Sequence, residues 1–266
     1  MKFKQLLIKK TSLPEEVHNM LPASYQAIGD ICLVKLREFV AKKYKYMIGG
    51  IILDNFPQFR TVCLQKGISG EFRRPDVEVI AGHKNTETIH NELGCRFKID
   101  VAKLMWSKGN HFERQRLLNL VKPGEIILDM FAGIGYWSVI LAKHKKVKRI
   151  IAIEKNPAAY DYLIENVCLN KLYNITAIQN DCRNFTSIKK ADRIIMGYFP
   201  NTISFLPAAL KFSKKGTIIH FHELADNPEK LKKKILKFRK LRIQSFKSVK
   251  EYSPSKKHYV FDLKVV

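Results

Sequence analysis

From about Trp106 onward, short apolar runs alternate with segments of helical spacing, and this rhythm limits the chain to one class of fold. Apolar strands separated by helices are typical of a parallel sheet that is covered by helices on both faces. Helices are predicted over Tyr136–Lys145 and Asn156–Asn170. The predicted parallel strands are Glu125–Asp129, Arg149–Glu154, Ile175–Ile178, Arg193–Met196 and Thr217–Phe221. Two further strands, Arg242–Lys250 and His258–Val265, follow one another directly and predict a terminal antiparallel hairpin.

The first hundred residues have a mixed pattern. Ile28, Ile31, Cys32 and Leu36 recur at helical spacing and predict a helix over Tyr25–Lys43. Short strands, punctuated by Gly, Pro and Asn, are predicted at Thr61–Leu64, Val77–Ile80, Thr88–His90 and Arg96–Asp100. The sequence therefore predicts a small α+β domain over residues 1–105 and an α/β domain over residues 106–266.

Composition excludes several protein classes. The 266 residues contain no stretch near the ~20 consecutive apolar residues of a membrane span. The apolar run Leu6–Ile8 near the amino terminus is too short for a signal peptide. The five cysteines are widely spaced and include no CxxC pair, which argues against a disulfide scaffold and against a structural zinc site. We therefore expect a cytoplasmic protein without a membrane segment or a metal.

The charge balance points to a polyanionic partner. Lys and Arg total 48 against 24 acids, a formal net charge of +24. A basic surface binds nucleic acid because contact with phosphates releases counterions. The alternative is a lysine-rich solvated surface of the kind found in heat-adapted proteins.

The segment Leu128–Trp137, with the sequence LDMFAGIGYW, joins a predicted strand to a predicted helix. In a doubly wound sheet, ligands bind where the carboxyl end of a strand turns into a helix. Ser138 replaces the third glycine of GxGxxG, and no GK[ST] follows, so a diphosphate ligand is disfavoured. A cofactor with an ammonium group fits better, because Asp129 can pair with it. The alternative is a tight turn that serves packing alone.

Acidic residues follow the next two strands. Glu154 ends its strand 19 residues beyond Gly135, where a carboxylate can accept both hydroxyls of an adenosine ribose. The alternative for Glu154 is an interaction with the dipole of the following helix. Asp181 follows the third strand, where it or a neighbouring backbone group can read the adenine amino edge. The alternative for Asp181 is a turn-forming role in Asn180-Asp181.

Asp129, Gly133, Gly135, Glu154 and Asp181 together resemble the pattern of class I S-adenosylmethionine (SAM) enzymes. The motifs Gly70–Pro75, His90–Asp100, Trp106-Ser107 and Glu113-Arg114 resemble the archaeal and eukaryotic tRNA guanine-N1 methyltransferases and their sister, the wybutosine-synthesis aminocarboxypropyltransferases. The similarity extends from about Gly67 to the terminal strands. It implies a Rossmann-like fold of the class I SAM-dependent methyltransferase type, SAM as the donor, and the anticodon loop of phenylalanine tRNA, tRNA(Phe), as the partner.

One departure distinguishes the two sister families. The methyltransferases carry an Asn-Leu-Pro or related motif after the fourth strand, whereas this chain has Met196-Gly197-Tyr198. This tripeptide resembles the archaeal aminocarboxypropyltransferases, which attach the three-carbon amino acid arm of SAM to 4-demethylwyosine and release methylthioadenosine. Guanine-N1 methylation at the same nucleotide is the second reading. An RNA-binding protein that has lost catalysis is a third, disfavoured by Glu154 and the glycine turn.

The resemblance also implies roles for individual residues. Arg73 and Tyr198 are the expected catalytic residues, next to the reacting base. The expected SAM-binding residues are Ser107, Arg114, Asp129, Phe131, Gly133, Gly135, Glu154, Asp181 and Cys182. Ser107 and Arg114 would hold the carboxylate of the amino acid arm. From the residues alone, Arg114 could be a helix-surface charge and Arg73 a solvated loop residue.

Two other features have plain alternatives. His220 and His222 share one face of a strand, and we expect two histidines with satisfied hydrogen bonds near the rim of the site rather than a metal site. The run Glu229–Lys250 carries ten bases and one acid, which is compatible with a solvated helix face and with direct tRNA contact. We expect a monomer.

Overall fold

The structure is a computed structural model that describes residues 2–186, 190–253 and 255–266. The chain forms two compact units. The first comprises Met1–Glu92 and Arg96–Lys108, and the second comprises Leu93–Cys95 and Gly109–Val266. A domain boundary between residues 105 and 106 stays a prediction. Among the described helices, none combines the length and the hydropathy that a membrane crossing needs.

The amino-terminal elements form an α+β arrangement. The helices are α1 (Phe3–Lys10), α2 (Glu15–His18) and α3 (Glu38–Asn55). The strands are β1 (Gln26–Ile28), β2 (Ile31–Val34), β3 (Thr61–Ser69), β4 (Arg74–Gly82), β5 (Glu87–Glu92) and β6 (Cys95–Asp100). Strands β1 to β4 form a four-stranded sheet in that order, and β5 pairs with β6. Each strand predicted in this region is present.

The predicted helix over Tyr25–Lys43 is wrong. Strands β1 and β2 form an antiparallel pair there, and α3 begins only at Glu38. The chain reverses at Gly29, whose φ of +53° favours glycine and whose Cβ would collide with the Thr88 hydroxyl. All four residues of β2 are buried. A short strand buried on both faces has the same apolar content as a buried helix segment, so spacing alone misled the prediction.

The second unit contains the alternating elements. Its helices are α4 (His111–Leu120), α5 (Ser138–His144), α6 (Pro157–Leu169), α7 (Leu206–Lys211) and α8 (Pro228–Leu236). Its strands are β7 (Ile126–Asp129), β8 (Arg149–Glu154), β9 (Ile175–Gln179), β10 (Ala191–Met196), β11 (Ser213–Ala225), β12 (Leu241–Ser253) and β13 (Lys256–Val265). Each strand predicted in this region is present, and so are both predicted helices.

These strands form one seven-stranded sheet in the order β12-β13-β11-β10-β7-β8-β9. Neighbours from β11 to β9 are parallel, whereas β13 is antiparallel to both β11 and β12. The Rossmann-like fold class and the terminal antiparallel hairpin are thereby confirmed. The winding reverses between β7 and β10, and the carboxyl ends of strands at such a switch point form the ligand crevice of α/β proteins.

Burial of the central strands explains their apolar composition. Ile153, Ile194, Met196, Phe221 and Phe261 are completely buried in one core cluster. Side chains of both sheet faces are covered, which is why these strands read as continuous apolar runs and not as an alternation. The rigid sheet holds the loops at its carboxyl edge in place.

Candidate active site

The glycine-containing loop between β7 and α5 has a backbone that only glycine adopts easily. Gly133 has a φ of +56°, and a Cβ there would overlap the ring of Tyr136. Gly135 has a φ of +95°, and its Cβ would lie 2.5 Å from Cγ2 of Val139. Both glycines are therefore required by the turn itself.

Glu154 lies at the end of β8 and binds this loop. Its Oε2 accepts a hydrogen bond from the backbone N–H of Gly133 at 2.7 Å, and its Oε1 accepts one from the N–H of Asn156 at 2.7 Å. Burial raises the pKa of Glu154, and these backbone donors oppose that rise. Helix α6 is capped by Asn156, whose side chain accepts from the N–H of Ala158 at 3.2 Å. Glu154 is therefore not the cap of this helix, and its oxygens keep lone pairs for ribose hydroxyls.

Asp129 is completely buried at the end of β7. It accepts hydrogen bonds from the hydroxyl of Ser138 at 2.7 Å and from the N–H of Phe131 at 3.4 Å. Burial raises the pKa of Asp129 to about 7, although the Ser138 hydrogen bond acts in the opposite direction. In this structure the carboxyl joins the loop to the start of α5, and pairing with an ammonium group stays a prediction.

Asp181 and Cys182 follow β9. The Asp181 carboxylate pairs with Arg183, with Nε at 2.9 Å and Nη2 at 2.5 Å, and with Nζ of Lys155 at 3.5 Å. The Arg183 hydrogen bonds lower the pKa of Asp181 well below its usual range. Cys182 is buried, which raises the pKa of its thiol to about 12. The thiol is therefore neutral, and any contact of this segment with adenine would use its backbone or Asp181.

Phe131 and Tyr198 stack at the end of β10, with ring centroids 4.9 Å apart and planes 20° from parallel. Phe205 packs edge-on against both rings, and the Arg183 guanidinium lies 4.9 Å from the Phe205 centroid. The structure thus brings together an expected SAM-binding residue and an expected catalytic residue from loops 67 residues apart. The resulting aromatic surface suits a flat ligand.

The other three expected site residues lie in α4, in the turn between β3 and β4, and after β6. Arg114 lies in α4 of the second unit, and its side chain is 1% exposed, so it is not a helix-surface charge. Arg73 belongs to the first unit, at the β3–β4 turn, where its φ is +53°. Ser107 also belongs to the first unit and is half-buried. The roles of these three residues stay predictions.

Several residues in contact with the expected site escaped sequence reasoning. Ser138 stands where GxGxxG has its third glycine, and its hydroxyl donates a hydrogen bond to Asp129. Arg183 lies two positions after Asp181, and this spacing is the only sequence signal for their pairing. Phe205 gave no signal, because it reaches Phe131 only through the folding of the segment after β10.

The two strand histidines do not pair with each other. Nδ1 of His220 lies 2.6 Å from Oδ1 of Asp262, and Nδ1 of His222 lies 2.9 Å from Nε2 of His258. Each histidine therefore meets a partner on β13, because residues on one strand face project side by side. Within residues 2–186, 190–253 and 255–266, no group of three His, Cys, Asp or Glu side chains is placed to hold a metal.

Comparison with known proteins identifies the family. Residues 88–249 match the TRM5/TYW2 methyltransferase domain, and residues 3–86 match the TYW2 N-terminal domain. The chain belongs to the TRM5/TYW2 family. The family that the sequence motifs indicated is thereby confirmed.

Individual family members are similar over most of their length. The chain is 42% identical to the tRNA(Phe) (4-demethylwyosine(37)-C(7)) aminocarboxypropyltransferase of Methanocaldococcus jannaschii, over 90% of this chain and 97% of that one. It is 34% identical to the tRNA (guanine(37)-N(1))-methyltransferase Trm5b of Pyrococcus abyssi, over 96% of this chain and 78% of the relative. The crystal structure of Pyrococcus horikoshii TYW2 in complex with MeSAdo matches with a TM-score of 0.85 and 35% identity, over 98% of this chain and 97% of that one.

Proposed function

We propose that this protein transfers the 3-amino-3-carboxypropyl group of SAM to C7 of 4-demethylwyosine in tRNA(Phe), with release of methylthioadenosine. The observation that carries the proposal is the 42% identity with an enzyme of that name over nearly the whole of both chains. The match of residues 3–86 to the TYW2 N-terminal domain supports the same choice, because it lies outside the shared methyltransferase domain.

The residues at the carboxyl edge of the sheet fit SAM. Bound SAM supplies an electrophilic carbon next to a sulfonium that leaves readily. Glu154 would accept the ribose hydroxyls, and Gly133 and Gly135 would let the backbone approach the donor closely. Asp129, Phe131, Asp181 and Cys182 would line the rest of the donor site. These assignments agree with a loop whose conformation is already fixed by hydrogen bonds.

Orientation of the donor decides which group is transferred. The nucleophile attacks the carbon that lies in line with the leaving sulfur, so the enzyme acts mainly by positioning. Arg114 and Ser107 would hold the carboxylate of the amino acid arm, and the burial of Arg114 would strengthen that interaction. Arg73 and Tyr198 would contact the acceptor base. One C–S bond breaks, one C–C bond forms, and C7 of the base loses a proton.

The second candidate function is guanine-N1 methylation at the same nucleotide. The 34% identity with the Pyrococcus abyssi methyltransferase supports it, but less strongly than the first candidate is supported. Gly197 also disfavours it, because a side chain at this position would meet the indole of Trp137. No amide from residue 197 is available to orient a guanine.

The partner of the reaction is tRNA, as the names of both relatives and the net charge of +24 agree. We propose further that the anticodon loop is the part that is bound, that the protein acts as a monomer, and that it works in the cytoplasm. The cysteines of the described residues are free thiols, which is compatible with a reducing compartment.

Analysis of the small-molecule product tests the proposal. The protein is incubated with SAM and with tRNA(Phe) that carries either 4-demethylwyosine or guanosine at the target position. We expect methylthioadenosine with the first tRNA and no product with the second. S-Adenosylhomocysteine with the guanosine tRNA would establish the methyltransferase instead. Absence of SAM binding by calorimetry would favour an RNA-binding protein without catalysis.

A further inference from the structure

Gly197 follows the last residue of β10, and the space beside it is filled by a residue from another loop. A Cβ built on Gly197 would lie 2.6 Å from Nε1 of Trp137 and 3.5 Å from its Cδ1. The φ of Gly197 is outside the left-handed region, so the backbone conformation does not require glycine. The close approach of the Trp137 indole is what requires glycine at position 197.

The indole of Trp137 cannot easily move aside. Its side chain is 3% exposed and packs in a buried cluster with Leu117, Leu141 and Ile195. On another side it contacts His222, with ring centroids 5.5 Å apart. His222 is itself completely buried and hydrogen-bonded to His258, and burial lowers the pKa of His222 to about 3, so that its ring is neutral. A side chain at residue 197 would therefore displace a packed group and not a flexible one.

The indole and Gly197 lie next to residues of the candidate active site. Arg193–Met196 is buried, whereas Gly197 and Tyr198 are half-buried. Tyr198, the residue after Gly197, stacks on Phe131. Within the described residues the indole N–H donates no hydrogen bond. An indole N–H in a largely buried position normally has an acceptor, so this one is available to a ligand.

We propose that Trp137 positions the acceptor base: its indole N–H, held beside Gly197, donates a hydrogen bond to a ring carbonyl oxygen of the guanine-derived base. Gly197 is then glycine because a side chain would push this donor out of place. The inference rests on the proposed function for the nature of the base. It adds a residue that the sequence motifs did not assign to the site.

Replacement of Trp137 by Phe keeps an aromatic ring and removes the N–H. We expect kcat/KM for tRNA to fall about tenfold, the effect of one lost hydrogen bond, with the dissociation constant of SAM unchanged. Gly197→Ala should cause a loss at least as large. In the Trp137→Phe background the same alanine should cost much less, because the atom nearest to the new Cβ is gone.

Trp106→Phe is the matched variant, since Trp106 and Trp137 are the two tryptophans of the chain. It leaves Trp137 as the one source of tryptophan fluorescence. In that variant the emission of Trp137 alone should change on titration with tRNA bearing 4-demethylwyosine, at the concentrations that saturate activity. Wild-type kcat/KM in Trp137→Phe, or equal losses from Gly197→Ala in both backgrounds, would overturn the inference. The proposed function is tested separately by the product of the wild type, methylthioadenosine or S-adenosylhomocysteine. The tRNA dissociation constants of these variants are compared in either case, so the two proposals can fail independently.

Discussion

The backbone N–H of Gly133 donates to Oε2 of Glu154 over 2.7 Å, and this bond joins the loop after β7 to the end of β8. The other oxygen of Glu154 binds the N–H of Asn156 at the start of α6. One carboxylate therefore fixes two loops at the edge of the sheet. A site organised in this way loses little conformational entropy on binding.

Glu154→Ala should weaken SAM binding by about 1.5–3 kcal/mol, or tenfold and more, because charged hydrogen bonds to the ribose are lost. Calorimetric titration with SAM measures the change. Asp161→Ala is the matched control, since Asp161 is an exposed acid on the neighbouring helix α6. An unchanged affinity in Glu154→Ala would remove this residue from the site.

Asp129 should make stability depend on pH. Its pKa of about 7 in the folded state lies above the ordinary value of 3.8, so the native state binds more protons between these two pH values. Stability should therefore fall as the pH rises from about 4 to about 7, by up to an amount on the order of 4 kcal/mol. Urea unfolding at several pH values measures the slope. In Asp129→Asn the slope should be smaller over this window, and identical slopes would contradict a buried, protonated Asp129.

Arg114 should distinguish SAM from its product. SAM carries the amino acid arm with its carboxylate, whereas methylthioadenosine lacks this arm. Arg114→Met should therefore weaken SAM binding by about 1.5–3 kcal/mol and leave methylthioadenosine binding unchanged. Equal weakening of both ligands would mean that Arg114 acts only through the packing of α4. Arg114→Lys, which keeps the charge but not the planar fork, should lie between wild type and Arg114→Met.

The basic helix α8 should contribute to the salt dependence of tRNA binding. Lys232 is already occupied, since it bonds Glu229 at 2.7 Å and lies 3.6 Å from the ring centroid of Phe246. Lys233 and Lys234 are exposed, and their replacement by Gln should reduce the slope of log K against log salt by about 2.

Filter binding at several salt concentrations measures this slope. Lys146→Gln with Lys148→Gln is the control, because these residues precede β8, the neighbour of the edge strand β9 at the other end of the sheet, and should leave the slope unchanged. If the tRNA affinity of the wild-type protein does not change with salt concentration, the lysines of α8 belong to an ordinary solvated surface.

Local sequence determined the Rossmann-like half of this protein. Each strand there is a short apolar run with helices or turns beside it, and burial on both faces leaves such runs easy to recognise. The glycines of the loop after β7 and the acid at the end of β8 were also evident, because a turn that needs positive φ restricts the residue type. Gly29 also marks a turn with positive φ, but the apolar residues around it recur at helical spacing. That spacing led to the predicted helix over Tyr25–Lys43, which was wrong.

Tertiary structure alone decided the partners of the polar and aromatic side chains. His220 and His222 look equivalent in the sequence, yet the register of β13 gives them Asp262 and His258, which lie 42 and 36 residues away. Trp137 and Gly197 meet because β7 and β10 are neighbours in the sheet although 60 residues separate the two positions. Periodicity reports which face of an element is buried, but which side chain lies opposite depends on strand order and register, and no local pattern encodes these.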